Sequence, residues 1–162
     1  MVRCAVTFGL ALLPNVAVAD PAAMAAFADH CFRPTMTAER AERVLTPNAA
    51  RVDFYDLTPF VANNAPSPAK IRPVTPGTDR RCELSFDGAH VDDAVAAVAR
   101  GLDAEGIRTE AAVPPGFAAH PGTEYIAARA LNPRRIAEVQ VGTRPSPNGV
   151  ETYMNVERLE PR

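Results

Sequence analysis

Residues 81–107 read RCELSFDGAHVDDAVAAVARGLDAEGI, and a change of period inside that stretch decides the fold. Cys82, Leu84 and Phe86 alternate with Arg81, Glu83, Ser85 and Asp87. Alternation of this quality is the pattern of a strand with one face on a core and the other in water. After Asp87-Gly88 the spacing lengthens. Val91, Val95, Val98 and Leu102 fall on one helical stripe, and Asp92-Asp93 suits the positive end of a helix dipole. Gly101 and Gly106 read as the stop and the turn that follow.

Downstream the period returns to two. Residues 107–113 (IRTEAAV) alternate, and Pro114-Pro115-Gly116 and Pro121-Gly122 turn the chain. Residues 123–131 (TEYIAARAL) suit a strand or a helix, and closely bracketing turns favour the strand. In IAEVQVGT, Ala137, Val139 and Val141 share a face. Ser146-Pro147-Asn148-Gly149 is a turn signal, and ETYMNVERL returns with Met154 and Val156 inward. The last third is therefore expected to be a meander of antiparallel strands.

Upstream, Asp20 can cap a helix whose first position is Pro21, with Met24, Phe27 and Cys31 on one face. Arg33-Pro34 breaks it. Thr37 can cap a second helix, AERAERVL, with Ala41, Val44 and Leu45 as its apolar stripe and Thr46-Pro47-Asn48 as its end. Residues 50–57 read as a first strand with Val52 and Phe54 on one side. The segment 58–79 is different in kind: it carries Pro59, Pro66, Pro68, Pro73 and Pro76 and has no period. Long connections without their own structure are either functional lids or loose connectors, and the scarcity of catalytic residue types favours the connector. The fold class that follows is α+β. A mostly meandering antiparallel sheet of five to six strands carries one main helix, with two short N-terminal helices beside it.

The chain has 162 residues, 47% of them hydrophobic and 22% charged, which supports one domain with a modest core. A formal charge of −2 removes the long-range attraction that nucleic acid requires. Met1-Val2-Arg3 is a basic start, Cys4 to Leu13 an apolar run, and Ala17-Val18-Ala19 a small-x-small site before Asp20. This is the layout of a signal peptide over 1–19, leaving a single domain over 20–162 with its proline-rich loop. The apolar run is too short to span a bilayer, so no membrane span is expected after cleavage. Cys31 and Cys82 then remain, each on an inward-turned pattern. In an exported chain the simplest reading is one disulfide between them, and free thiols or a redox pair are the alternatives. No C-x-x-C occurs to support the redox pair.

The common catalytic and cofactor signatures are missing: no G-x-G-x-x-G, no P-loop, no H-E-x-x-H and no G-x-S-x-G. Of three serines, only Ser85 sits on a rigid element, without a visible base. His30, His90 and His120 lie on separate segments and lack ligand spacing, so neither a metal nor a cofactor is expected. Asp53 and Asp56 are near each other in sequence, which does not make them face across a cleft. Arginines at 80, 81, 134, 135 and 144 could hold an anion at strand ends and turns. The leading expectation is a periplasmic or secreted binding or interaction module, its partner an unidentified protein or a small anionic ligand. The alternative is a small periplasmic hydrolase using carboxylates or a histidine-bound metal.

Overall fold

The structure is a computed structural model that describes residues 20–159; the expected signal segment 1–19 lies outside the described residues. Helix α1 (Pro21–His30) starts where the sequence places it. The Asp20 carboxylate accepts from the Ala22 and Ala23 amides at 3.1 Å each, a cap contributing about 1 kcal/mol. Helix α2 (Ala38–Leu45) is capped by the Thr37 hydroxyl, which accepts from the Arg40 amide at 3.2 Å. A short 3-10 turn at Thr46–Asn48 leads into β1 (Arg51–Asp56). Then follow β2 (Thr78–Asp87), α3 (Val91–Ala104), β3 (Thr123–Asn132), β4 (Arg135–Ser146) and β5 (Gly149–Leu159).

The five strands form one antiparallel sheet in the order β1-β2-β5-β4-β3. The meander β3-β4-β5 is as the pattern foretold, and β2 joins it along β5. The α+β class holds with five strands. The sixth expected strand, 107–113, shrinks to a single bridge between Glu110 and Arg129 beside β3. Pro114-Pro115 ends its pairing almost at once, since neither residue has an amide to donate.

One face of the sheet carries the core. Phe54, Cys82, Leu84, Phe86, Val139, Val141 and Met154 meet α1 and α3 there. The Cys31–Cys82 disulfide ties α1 to β2, with Cα atoms 5.5 Å apart. The helical layer differs from the expectation of one main helix. The ten-residue α1 packs along the fourteen-residue α3, and α2 covers β1. Gly101 does not stop the helix as expected but lies inside α3, where the close approach of α1 leaves no room for a side chain: a Cβ there would come within 2.8 Å of the Ala28 carbonyl oxygen. The core stripe of α3 is accordingly made of Ala94, Ala97, Val98, Gly101 and Leu102, while Val91 and Val95 are only partly covered.

The largest departure concerns the face expected to be wet. Asp87 is exposed, but Arg81, Glu83 and Ser85 are 2%, 3% and 0% exposed. Two segments without regular structure, 57–77 and 105–122, reach over Arg81 and Glu83. Period two reports the contrast between two faces; it does not report what covers the polar one.

Candidate functional site

The roofed polar face is a layer of paired charges. Cross-strand register sets Arg81 between Tyr55 and the Glu157–Glu138 pair, and Glu83 between Asp53 and Asn155. The Arg81 guanidinium donates to Asp53 Oδ2 at 2.9 Å and to Glu157 Oε1 at 2.7 Å. Arg144 reaches Glu83 at 2.9 Å and also holds Glu151. The proline-rich loop enters the same network. Arg72 pairs with Asp53 and Glu83, Thr75 donates to Glu157 Oε1 at 2.8 Å, and the Pro73 carbonyl accepts from Arg81 at 3.2 Å. From the other roof segment, the His120 amide donates to Gln140 Oε1 at 2.7 Å.

Burial and pairing set the protonation here. Burial works against the charge of Arg81, but its bonds to Glu157 and Asp53 more than offset this and raise its pKa. Glu138 has no such cation. Burial pushes its carboxyl up to about 8, the bond from Gln140 only partly opposes this, and neighbouring Glu157 adds to the rise. His120 is pulled down by burial and then by Arg72. Glu138 and Glu157 stand side by side on β4 and β5 in unequal surroundings, Glu157 bonded to Arg81 and Thr75 and Glu138 only to Gln140. Unequal surroundings of two carboxyls are one requirement of an acid and base pair. Both side chains are 0% exposed, however, and the roof separates them from any substrate.

The opposite face ends differently. Beyond the helical layer, the inward-facing positions of the strands become charged, and Asp56, Arg80 and Arg158 form one row across β1, β2 and β5. Arg158 donates to Asp56 Oδ1 at 2.8 Å and to Asp79, and Arg135 pairs with Asp79 at 3.0 Å. Arg80 stacks 5.3 Å over the Phe54 ring and donates to the carbonyls of Arg33 (2.8 Å) and Pro34 (3.4 Å). Its Nε has no hydrogen-bond partner, and the nearest carboxylate oxygen, on Asp56, is 3.9 Å away. Burial draws the Arg80 guanidinium down to about 10, against the pull of Asp56.

A groove of about 270 Å³ opens beside this row. Phe32, Phe60, Ile107 and Leu131 supply apolar wall, while Arg80, Arg135 and Arg158 supply charge. A narrow inner chamber of about 30 Å³ continues it toward Cys31, Ala137 and Val156. A larger cavity, about 340 Å³, lies between the start of α2 and the proline-rich loop. Its lining includes Glu39, Asp56, Asn63 and Asn64 but no cation and no imidazole, so its charge does not favour an anion.

The five arginines picked from the sequence are thus divided. Arg80 and Arg135 share the groove, Arg81 and Arg144 lie in the roofed layer, and Arg134 is exposed at the β3–β4 hairpin. Asp53 and Asp56 face opposite sides of β1, bonded to Arg81 and Arg158 respectively. The three histidines stay apart: His30 ends α1, His90 stacks on Phe86, and His120 lies near Tyr153. Among the described residues, no three His, Cys, Asp or Glu side chains gather as a metal-ligand set. Sequence reasoning missed Arg158 and the apolar walls. The available signal was parity, because Arg158 shares a face with Met154 and Val156, as Arg80 does with Cys82 and Leu84. Comparison with protein-family models, characterised proteins and solved structures finds no match to this chain.

Proposed function

We propose that this chain is a small exported binding module and that the groove beside Arg80 takes a small anion. The observation that carries the reading is the buried Arg80 guanidinium, bonded to two neutral carbonyls and no nearer than 3.9 Å to its carboxylate neighbour Asp56, at the wall of an open groove. A dehydrated guanidinium gains more from an anion than one already solvated. Export is supported by the layout of residues 1–19 and by the Cys31–Cys82 bond, since disulfides persist in oxidising compartments. Among the described residues no helix is long and apolar enough to cross a membrane. Titration calorimetry of the disulfide-bonded chain 20–162 with a panel of organic and inorganic anions tests the reading. Saturable binding that Arg80→Gln weakens at least tenfold is the expected result; no binding by any anion would sink it.

The hydrolase reading keeps one observation of its own, the unequal environments of Glu138 and Glu157. It requires the roof of loops to open, so turnover of any ester or glycoside would have to disappear in Glu157→Gln.

A further inference from the structure

We infer that the ligand of this groove is a monocarboxylate with an apolar tail, its carboxylate on Arg80 and Arg158 and its tail between Phe32, Ile107 and Leu131. The inference rests on the small-anion reading above and narrows it to a chemical class.

Three features point the same way. The first is asymmetry. One set of walls is aromatic and aliphatic while the other is guanidinium, so a hydrophilic anion leaves apolar wall uncovered. An uncharged apolar molecule instead leaves the guanidinium face desolvated without a partner. The second is donor count. Arg80 gives one hydrogen of each Nη to a backbone carbonyl and keeps the other, its Nε being enclosed beside Asp56, while Arg158 commits Nε to Asp79 and Nη2 to Asp56 and Thr58. Among the described residues no bond is made by Arg158 Nη1, so the second Nη hydrogens of Arg80 and Nη1 of Arg158 can each donate to one oxygen of a planar anion. The third is surrounding charge. Asp56 and Asp79 touch the same arginines, and Glu105 lines the groove, paired with Arg33 at 3.6 Å. Those three carboxylates cancel most of the charge of Arg33, Arg80, Arg135 and Arg158, so the small positive remainder matches a monoanion and does little to offset the heavier dehydration of phosphate or citrate.

Size limits the tail. At ~30 Å³ per water-sized group, a groove of about 270 Å³ holds roughly nine such groups, the length of an octanoate. The inner chamber of about 30 Å³ adds room for about one more.

The test is calorimetry with linear carboxylates from butanoate to dodecanoate, matched primary amides, phosphate and citrate, on the chain 20–162. Affinity should rise roughly fourfold per methylene up to about octanoate or nonanoate and then level off. The amides should bind at least tenfold more weakly, and phosphate and citrate not measurably. Phe60 is 69% exposed, so Phe60→Ala keeps the fold and should weaken octanoate severalfold; Arg80→Gln should weaken it at least tenfold. Binding of phosphate or citrate as strong as octanoate, with no dependence on chain length, would overturn the tail while leaving the anion reading intact. Equal binding of amides and carboxylates overturns the charge, and silence from every anion overturns both readings. A chain-length series unchanged in both variants places the binding elsewhere and also refutes the inference.

Discussion

Replacing Glu138 with glutamine should stabilise the protein, and by an amount that grows with pH. The Glu138 side chain is fully buried, stands across from Glu157, and accepts from Gln140 Nε2 at 3.2 Å. Its pKa of about 8 in the fold compares with 4.5 for the ordinary carboxyl. The sign follows from proton counts. Between pH 4.5 and 8 the folded state keeps a proton that the unfolded chain releases, so stability falls as pH rises through that window. Below it the carboxyl is neutral in both states and adds no pH-dependent cost, and above it the full ionisation cost is present. At about 1.4 kcal/mol per pH unit, the loss is ~3 kcal/mol by pH 7 and ~5 kcal/mol above pH 8, as upper values. Glutamine keeps the shape and the acceptor for Gln140 but has no proton to lose. Urea unfolding of both proteins at pH 5, 7 and 8.5 should give curves that nearly coincide at pH 5 and separate progressively above it. A difference independent of pH, or a Glu138 carboxyl that titrates near 4.5 by carbon NMR, would refute the reasoning.

Three further outcomes are accessible to simple measurements. Denatured, unreduced protein should contain no titratable thiol, and reduction of Cys31–Cys82 should lower stability by up to about 4 kcal/mol for a loop of 51 residues. Arg72→Ala removes a cation from Asp53 and Glu83, which keep Arg81 and Arg144, so a loss of ~1–3 kcal/mol is expected. Faster proteolysis within 58–77 should accompany it, and an unchanged cleavage rate would mean the loop is held by other contacts. Protein recovered from its native host should begin at Asp20 by mass, and a full-length chain in the cytosol would contradict export.

How much of this was legible is best judged residue by residue. Cys31 and Cys82 each sit on an inward-turned pattern, and the structure joins them. The caps at Asp20 and Thr37 and the meander of the last third were equally visible, because each depends on residues a few positions apart. The burial of Arg81 and Glu83 was not visible. It depends on Arg72, Thr75 and His120, which lie in segments with no period and reach the sheet only after the chain has folded. What made that burial possible is cross-strand: Asp53 and Glu157 flank Arg81 from strands 28 and 76 residues away. A charged layer with its partners in place can lose water without the penalty of an isolated ion.

The groove follows the opposite logic, and there the sequence held more than a reading by period extracts. Alternation in β2 runs Arg80, Cys82, Leu84, Phe86, and in β5 it runs Met154, Val156, Arg158. The first member of one series and the last member of the other break the apolar pattern at the same end of the sheet, because the two strands are antiparallel. Asp56 does the same in β1 after Val52 and Phe54, and register brings all three into one row. A single charged residue at an inward position is an ordinary surface accident. Three in register are not, because each must then be desolvated beside the others, and a sheet built only for stability would place apolar side chains there instead. The place where the core pattern fails in step on three strands is also where Phe32, Ile107 and Leu131 leave an open groove.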